Sequence, residues 1–154
     1  MTVKDTARKQ YIRIADRAAQ QLESMQKPSE GWISVLRKAL GMSGAEVATR
    51  MGVSRNAIYQ AERNEREGAI TINQMQKLAD AMGGRFVYAI VPDGSVDGVI
   101  RAQAFQKAES RVRRASAHMA LEKQSLSAAQ TKERIEALAD ELVRDMPPDF
   151  WDVK

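Results

Sequence analysis

Between Trp32 and Met82 the chain repeatedly stops and restarts a helical pattern, and these breaks constrain the fold more than any other feature. WISVLRKAL is halted by Gly41. GAEVATRM follows Ser43, whose hydroxyl can cap free N–H groups, and is halted by Gly52. RNAIYQAERN follows Ser54. INQMQKLADAM follows Thr71 and runs into Gly83 and Gly84. Short amphipathic helices of this kind are not stable alone, so each must bury its apolar stripe against the others. The expectation is a small helical bundle. Aromatics make up only 5% of the chain, and Ala, Leu, Met, Gln, Glu and Arg are abundant, which agrees with helix rather than strand.

Within this bundle, AEVATRMGVSRNAIYQAE (Ala45–Glu62) has the frame of a helix-turn-helix. Ala48 is small where a second helix must cross. Gly52 tolerates the positive φ of a tight turn. Val47, Met51, Val53 and Ile58 can lock the two helices together. The second helix then opens on polar residues, as it must if its N-terminal part enters the major groove of DNA. Arg55, Asn56, Tyr59 and Gln60 are the candidate base readers. Arg presents a fork to guanine O6 and N7, and Asn or Gln pairs with adenine N6 and N7. Tyr59 has packing or phosphate contact as further options. Ser43, Thr49, Arg50, Ser54 and Arg63 are placed for phosphate, where each positive contact adds salt dependence. The plainer alternative is a solvated polar face.

Composition excludes other chemistry. There is no cysteine, and His118 is the only histidine, so disulfides, cysteine nucleophiles and multi-histidine metal sites are out. No elbow or phosphate-cradling glycine loop accompanies the many Ser and Asp residues, so no enzyme and no cofactor is expected. No apolar run is long enough to cross a bilayer, and MTVKDTARKQ lacks the apolar core of a secretory signal. A cytoplasmic protein without a membrane partner is expected. Net charge is +4, distributed unevenly. Met1–Gly68 holds 12 Lys/Arg against 8 Asp/Glu, whereas Met119–Lys154 holds 5 against 8. Two surfaces with different partners, or merely solvated helix faces, would produce that asymmetry.

Three domains are expected: an N-terminal helical arm over 1–27, a DNA-binding domain with a terminal strand over 31–92, and a helical extension over 95–154. In the arm, Val3, Ala7, Tyr11, Ile14, Ala18, Leu22 and Met25 form one stripe, either packed on the next domain or free to dock a partner. Arg85, Phe86, Val87, Tyr88, Ala89, Ile90 and Val91 are β-branched and aromatic and read as a strand. A lone strand leaves its backbone groups unpaired. The expectation is that it pairs with its own copy across a two-fold axis, or with a short edge near residues 68–71. In the extension, Ile135, Leu138, Leu142 and Met146 form a stripe, and Phe150 and Trp151 follow a double proline. These six are the candidate partner-binding residues, although Phe150 and Trp151 could equally fold back onto the body. Arg111, Arg113 and Arg114 are a second DNA contact or a solvated face.

GVSRNAIYQAE resembles the signature of the Xre type of helix-turn-helix protein, the phage-repressor-like class, in which Glu62 would take a structural role. Gly44 departs from that class, which often carries Gln there. LADAMGGRFVYAIVP is similar to antitoxins of the HipB sort, whose strand after the last helix helps to make the dimer. HMALEKQ (His118–Gln124), at its distance from VYAIVP, resembles the family called mobile mystery protein A. That resemblance spans nearly the whole chain and implies an antitoxin partnered with a Fic-domain toxin, mobile mystery protein B. No Glu here has Ser or Thr four residues before it, so the Ser/Thr-x-x-x-Glu pattern of many Fic inhibitors is missing.

The expectation is therefore a mostly α, phage-repressor-like helix-turn-helix bundle with one dimerising β-strand and a helical C-terminal extension. Such a protein would be a homodimeric, sequence-specific repressor that binds palindromic double-stranded DNA, autoregulates its operon and restrains a Fic-type toxin. The alternative is a stand-alone dimeric Xre-type regulator.

Overall fold

The computed structural model describes residues 2–121 and 126–153; residues 122–124 of the HMALEKQ stretch lie outside them. Seven helices are found among the described residues: α1 (Val3–Leu22), α2 (Trp32–Ala39), α3 (Gly44–Met51), α4 (Arg55–Glu67), α5 (Ile72–Ala81), α6 (Val96–Leu121) and α7 (Ala128–Asp145). They form two compact units. One, the head, is Ser24–Ala89; the other joins Met1–Glu23 to Ile90–Lys154.

The head is the bundle that the helix breaks imply. Its core is Ile33, Val47, Ala48, Ile58, Ala61, Met75, Leu78 and Met82, drawn from all four of its helices and the end of α5. Local chemistry fixes each boundary. Ser43, Ser54 and Thr71 accept from the N–H groups of Glu46, Ala57 and Gln74, so α3, α4 and α5 all start on side-chain caps. Gly52 ends α3 in the left-handed conformation (φ 69°), and the Val53 N–H reaches back to the Ala48 carbonyl at 3.0 Å. This closing turn sets the angle at which α4 leaves.

In the second unit, α6 and α7 pack face to face. Ile100, Ala104, Ala108 and Val112 meet Ile135, Ala139 and Leu142, and Phe150 closes the core. Small residues on α6 (Ala104 and Ala108, both fully buried) allow the close approach. Helix α1 belongs to this unit and packs on α6, where the Asp16 carboxylate accepts from the Val96 N–H at 2.8 Å and so caps the start of α6. No helix among the described residues is long and apolar enough to cross a membrane.

The expected strand is absent: no described residue is in a β-strand, and Arg85–Val91 has no regular structure. The expected mixed fold with a dimerising β-strand is thus corrected to an all-helical one. A strand needs a neighbouring edge to satisfy its backbone, and residues 68–71 are instead the left-handed cap of α4 and the cap of α5. The apolar content of the segment serves other ends. Phe86 packs against the head core and stacks on Tyr88, with ring centroids 5.5 Å apart. The division between the units falls between Ala89 and Ile90, which makes the segment a connector.

Candidate nucleic-acid interface

Helix α4 is two-faced. Ile58, Ala61, Glu62 and Glu65 face inward and are buried. Asn56, Tyr59, Gln60 and Arg63, at spacings of three and four, form the opposite, exposed face. All four candidate base readers, Arg55, Asn56, Tyr59 and Gln60, are exposed on the first half of α4. No carboxylate occurs on this stretch before the inward-facing Glu62. The positive end of the helix dipole lies at the same end.

The interior of α4 is held by two carboxylates. Glu62 pairs with Arg37 of α2, Nε to Oε1 at 2.6 Å, with side-chain exposures of only 6% and 11%. Arg37 also donates from Nη1 to the Met42 carbonyl at 3.2 Å. The hydrogen bond to Glu62 raises the Arg37 pKa and outweighs the opposing effect of burial. Glu65 accepts from the backbone N–H groups of Trp32 (2.6 Å) and Ile33 (2.9 Å), and so caps the start of α2. Gly31 precedes that start at φ 90°, and a Cβ there would fall 2.9 Å from the Glu65 carboxylate. The outward face is thereby held at a fixed rotation, because turning α4 would break both anchors.

Tyr59 lies across Gly44, the first residue of α3. A Cβ on Gly44 would come within 2.7 Å of the Tyr59 Cζ. The ring has Arg37 and Arg55 as cationic neighbours, at 5.8 and 5.5 Å from its centroid. The Gly44 departure from the Xre pattern therefore has a structural counterpart: the tyrosine occupies the space that a longer residue at 44 would fill. Gln60 donates to the Asn64 side chain at 2.9 Å and accepts from Arg63 at 3.5 Å.

The candidate phosphate contacts are all exposed. Ser43 and Ser54 already serve as caps, and Thr49 donates back to the Ala45 carbonyl at 3.0 Å. Arg50 donates from Nε to the Ala81 carbonyl, tying α3 to the end of α5. These residues surround the turn and the start of α4. The candidate partner-binding residues are placed differently. Ile135, Leu142 and Phe150 are buried in the second unit's core, with Leu138 and Met146 packed against it; Trp151 alone of the six is exposed. Arg113 pairs with Glu109, and Arg111 with Asp149. His118 is exposed on α6.

Sequence reasoning missed Arg37 and Glu65. Their signals were present: Gly31 offers no side-chain cap to α2, and two carboxylates at three-residue spacing lie on the apolar face of α4.

Residues 33–88 match the helix-turn-helix family. The matched span contains α3, the Gly52–Ser54 turn and α4, and it defines the class: the head is a DNA-binding domain of the kind carried by transcription regulators, and a regulatory rather than catalytic one. Within that class it is of the Xre type. No curated protein and no solved structure matches the chain.

Proposed function

We propose that this protein is a sequence-specific repressor that autoregulates its own operon and acts as the antitoxin of a Fic-type toxin. The observation that carries the DNA-reading half is the outward face of α4, where Arg55, Asn56, Tyr59 and Gln60 stand exposed on a helix locked from behind by Arg37 and Glu65. Arg55 and Gln60 read base edges, and Arg50 and Arg63 add phosphate contact. Support for a homodimer is the apolar groove of the head, where exposed Trp32 and Val87 meet Leu36, Met75 and Phe86. Two copies place their α4 helices about one DNA turn apart, roughly 34–36 Å, on a palindromic site. Support for a toxin partner is the family resemblance, together with a second unit that adds surface beyond the reading head.

The test is a pair of measurements on the full chain. Fluorescence anisotropy with the DNA upstream of its own gene gives tight, salt-sensitive binding that scrambled DNA does not match. Co-expression with the neighbouring gene's product gives a stable complex. Binding to DNA with no complex moves the reading to the stand-alone regulator; equal affinity for all DNA overturns the repressor.

A further inference from the structure

Helix α1 packs on its unit but leaves several large apolar side chains in solvent. Ile12, Ala15, Asp16, Ala18, Ala19 and Leu22 are partly buried, and no residue of the helix is fully buried. The first part of its apolar stripe is left in solvent: Val3 is 88% exposed, Tyr11 70% and Ile14 66%, whereas Ala18 and Leu22 further along are partly buried. Tyr11 borders a groove of about 490 Å³ that it shares with Ile90, Val91, Val99 and Trp151, and Arg8 is the charged residue in its wall. Ile90 is 97% exposed and Trp151 52%. An exposed apolar groove of this kind marks a binding site.

Charge says what fits it. At about 3.6 residues per turn, Lys4 and Arg8 flank the stripe on one side and Arg13 and Arg17 on the other. The carboxylates of the helix are engaged by backbone donors: Asp5 accepts from Thr2, and Asp16 from Val96. The helix therefore offers an apolar strip between two basic rails. A second copy of this chain is a poor occupant. Face-to-face pairing sets the same basic rails against each other. The acidic face of α7 (Glu133, Glu136, Asp140 and Glu141) carries no exposed large apolar side chain. Nucleic acid answers the charge but not the apolar strip.

We infer that the α1–Trp151 face is the docking site for a different protein, one that presents an apolar helical stripe flanked by carboxylates. This inference deepens the antitoxin reading by moving the partner surface from the α7 stripe, which the chain uses for its own core, to α1. Trp151 and Tyr11 are the anchors, since aromatics dominate interface energetics, and Arg8 is the charged clamp.

The test uses the full chain with Tyr11→Asp, Arg8→Glu and Trp151→Ala, all exposed positions, with Glu136→Lys on α7 as a control and thermal melts to confirm folding. Against the neighbouring gene's product, each of the three weakens binding at least tenfold, Glu136→Lys does not, and all four bind DNA like the parent. Unchanged binding by the three overturns the docking site while the toxin pairing stands. Loss of DNA affinity in their place overturns it in favour of a nucleic-acid contact. A change in oligomeric state by sedimentation overturns it in favour of a second copy. Should the parent chain not bind that product, the toxin pairing falls, and the surface is judged by synthetic amphipathic helices. With Trp32→Phe leaving Trp151 as the sole reporter, a Leu/Glu helix shifts its fluorescence and a Leu/Lys helix does not. Equal response to both, or to neither, overturns the site.

Discussion

Helices α1 and α4 each show one face to the interior and one to water, but with opposite contents. In α4 the inward face is apolar and holds two carboxylates that anchor it to α2, while the outward face is polar and basic. In α1 the inward face combines Ile12 with alanines and one capping aspartate, and the outward face keeps Val3, Tyr11 and Ile14 in solvent. Packing within the chain accounts for α4 completely on its inner side and leaves a surface of hydrogen-bonding groups. It accounts for α1 only in part. Polar groups left outward suit base edges and phosphates, and apolar groups left outward suit another protein.

The largest expected effects break the comparison at its cores. Phe150→Ala removes the side chain that closes the second unit and costs about 3–5 kcal/mol there. Differential scanning calorimetry then shows one transition lowered, and a single shared shift would mean that the units do not melt separately. Arg37→Ala leaves Glu62 buried without its partner and costs the head about 3 kcal/mol. A urea titration followed by circular dichroism reads this as a lower midpoint, and an unchanged midpoint would mean that the pair does not anchor α4.

Smaller effects sharpen it. Gly44→Ala places a methyl group against the Tyr59 ring. The ring swings away at a cost within about 1 kcal/mol, since alanine suits a helix better than glycine. Stability therefore changes little while DNA preference changes, and a DNA preference identical to the parent's would remove Tyr59 from the reading surface. The smallest effect is acidic. The Ser43 N–H and hydroxyl hold the Glu46 carboxyl below its ordinary value of 4.5. A carboxyl lowered by folding contributes stability that is present above its unfolded value and lost as pH falls through its folded one. The head thus loses a little stability on acidification below the ordinary carboxylate range, and Glu46→Gln flattens that slope in thermal melts across pH.

The head was legible because its signals are local. Ser43, Ser54 and Thr71 announce helix starts within three residues, and Gly52 announces a turn by its own backbone freedom. The outward face of α4 follows from the same periodicity. The strand at Arg85–Val91 was misread because β-branched and aromatic residues report only a preference for a half-buried extended surface, and a strand exists only if a second edge is present. Phe86 meets that preference by packing on the head. The α7 stripe was legible as apolar but not as internal, because periodicity shows that a face will be covered and not what covers it; for Phe150, the fold-back onto the body that the sequence also allowed is the arrangement found. The same limit left two readings open for the α1 stripe, packed or free: Ala15 and Ala19 are too small to weigh against Tyr11 and Ile14 in a pattern, yet with Ile12 they are among the residues turned toward the unit.

The central claim is that the outward face of α4 reads bases, and selection of DNA sites from a random library tests it most directly. The parent chain and the variants Arg55→Ala, Gln60→Ala and Arg63→Ala would be compared. The account predicts a two-fold symmetric site for the parent and loss of preference at one position per half-site for Arg55→Ala and Gln60→Ala, worth about 1–3 kcal/mol each. It predicts the same site, bound more weakly and with a salt slope reduced by about 1, for Arg63→Ala. An unchanged preference in both Arg55→Ala and Gln60→Ala would contradict it.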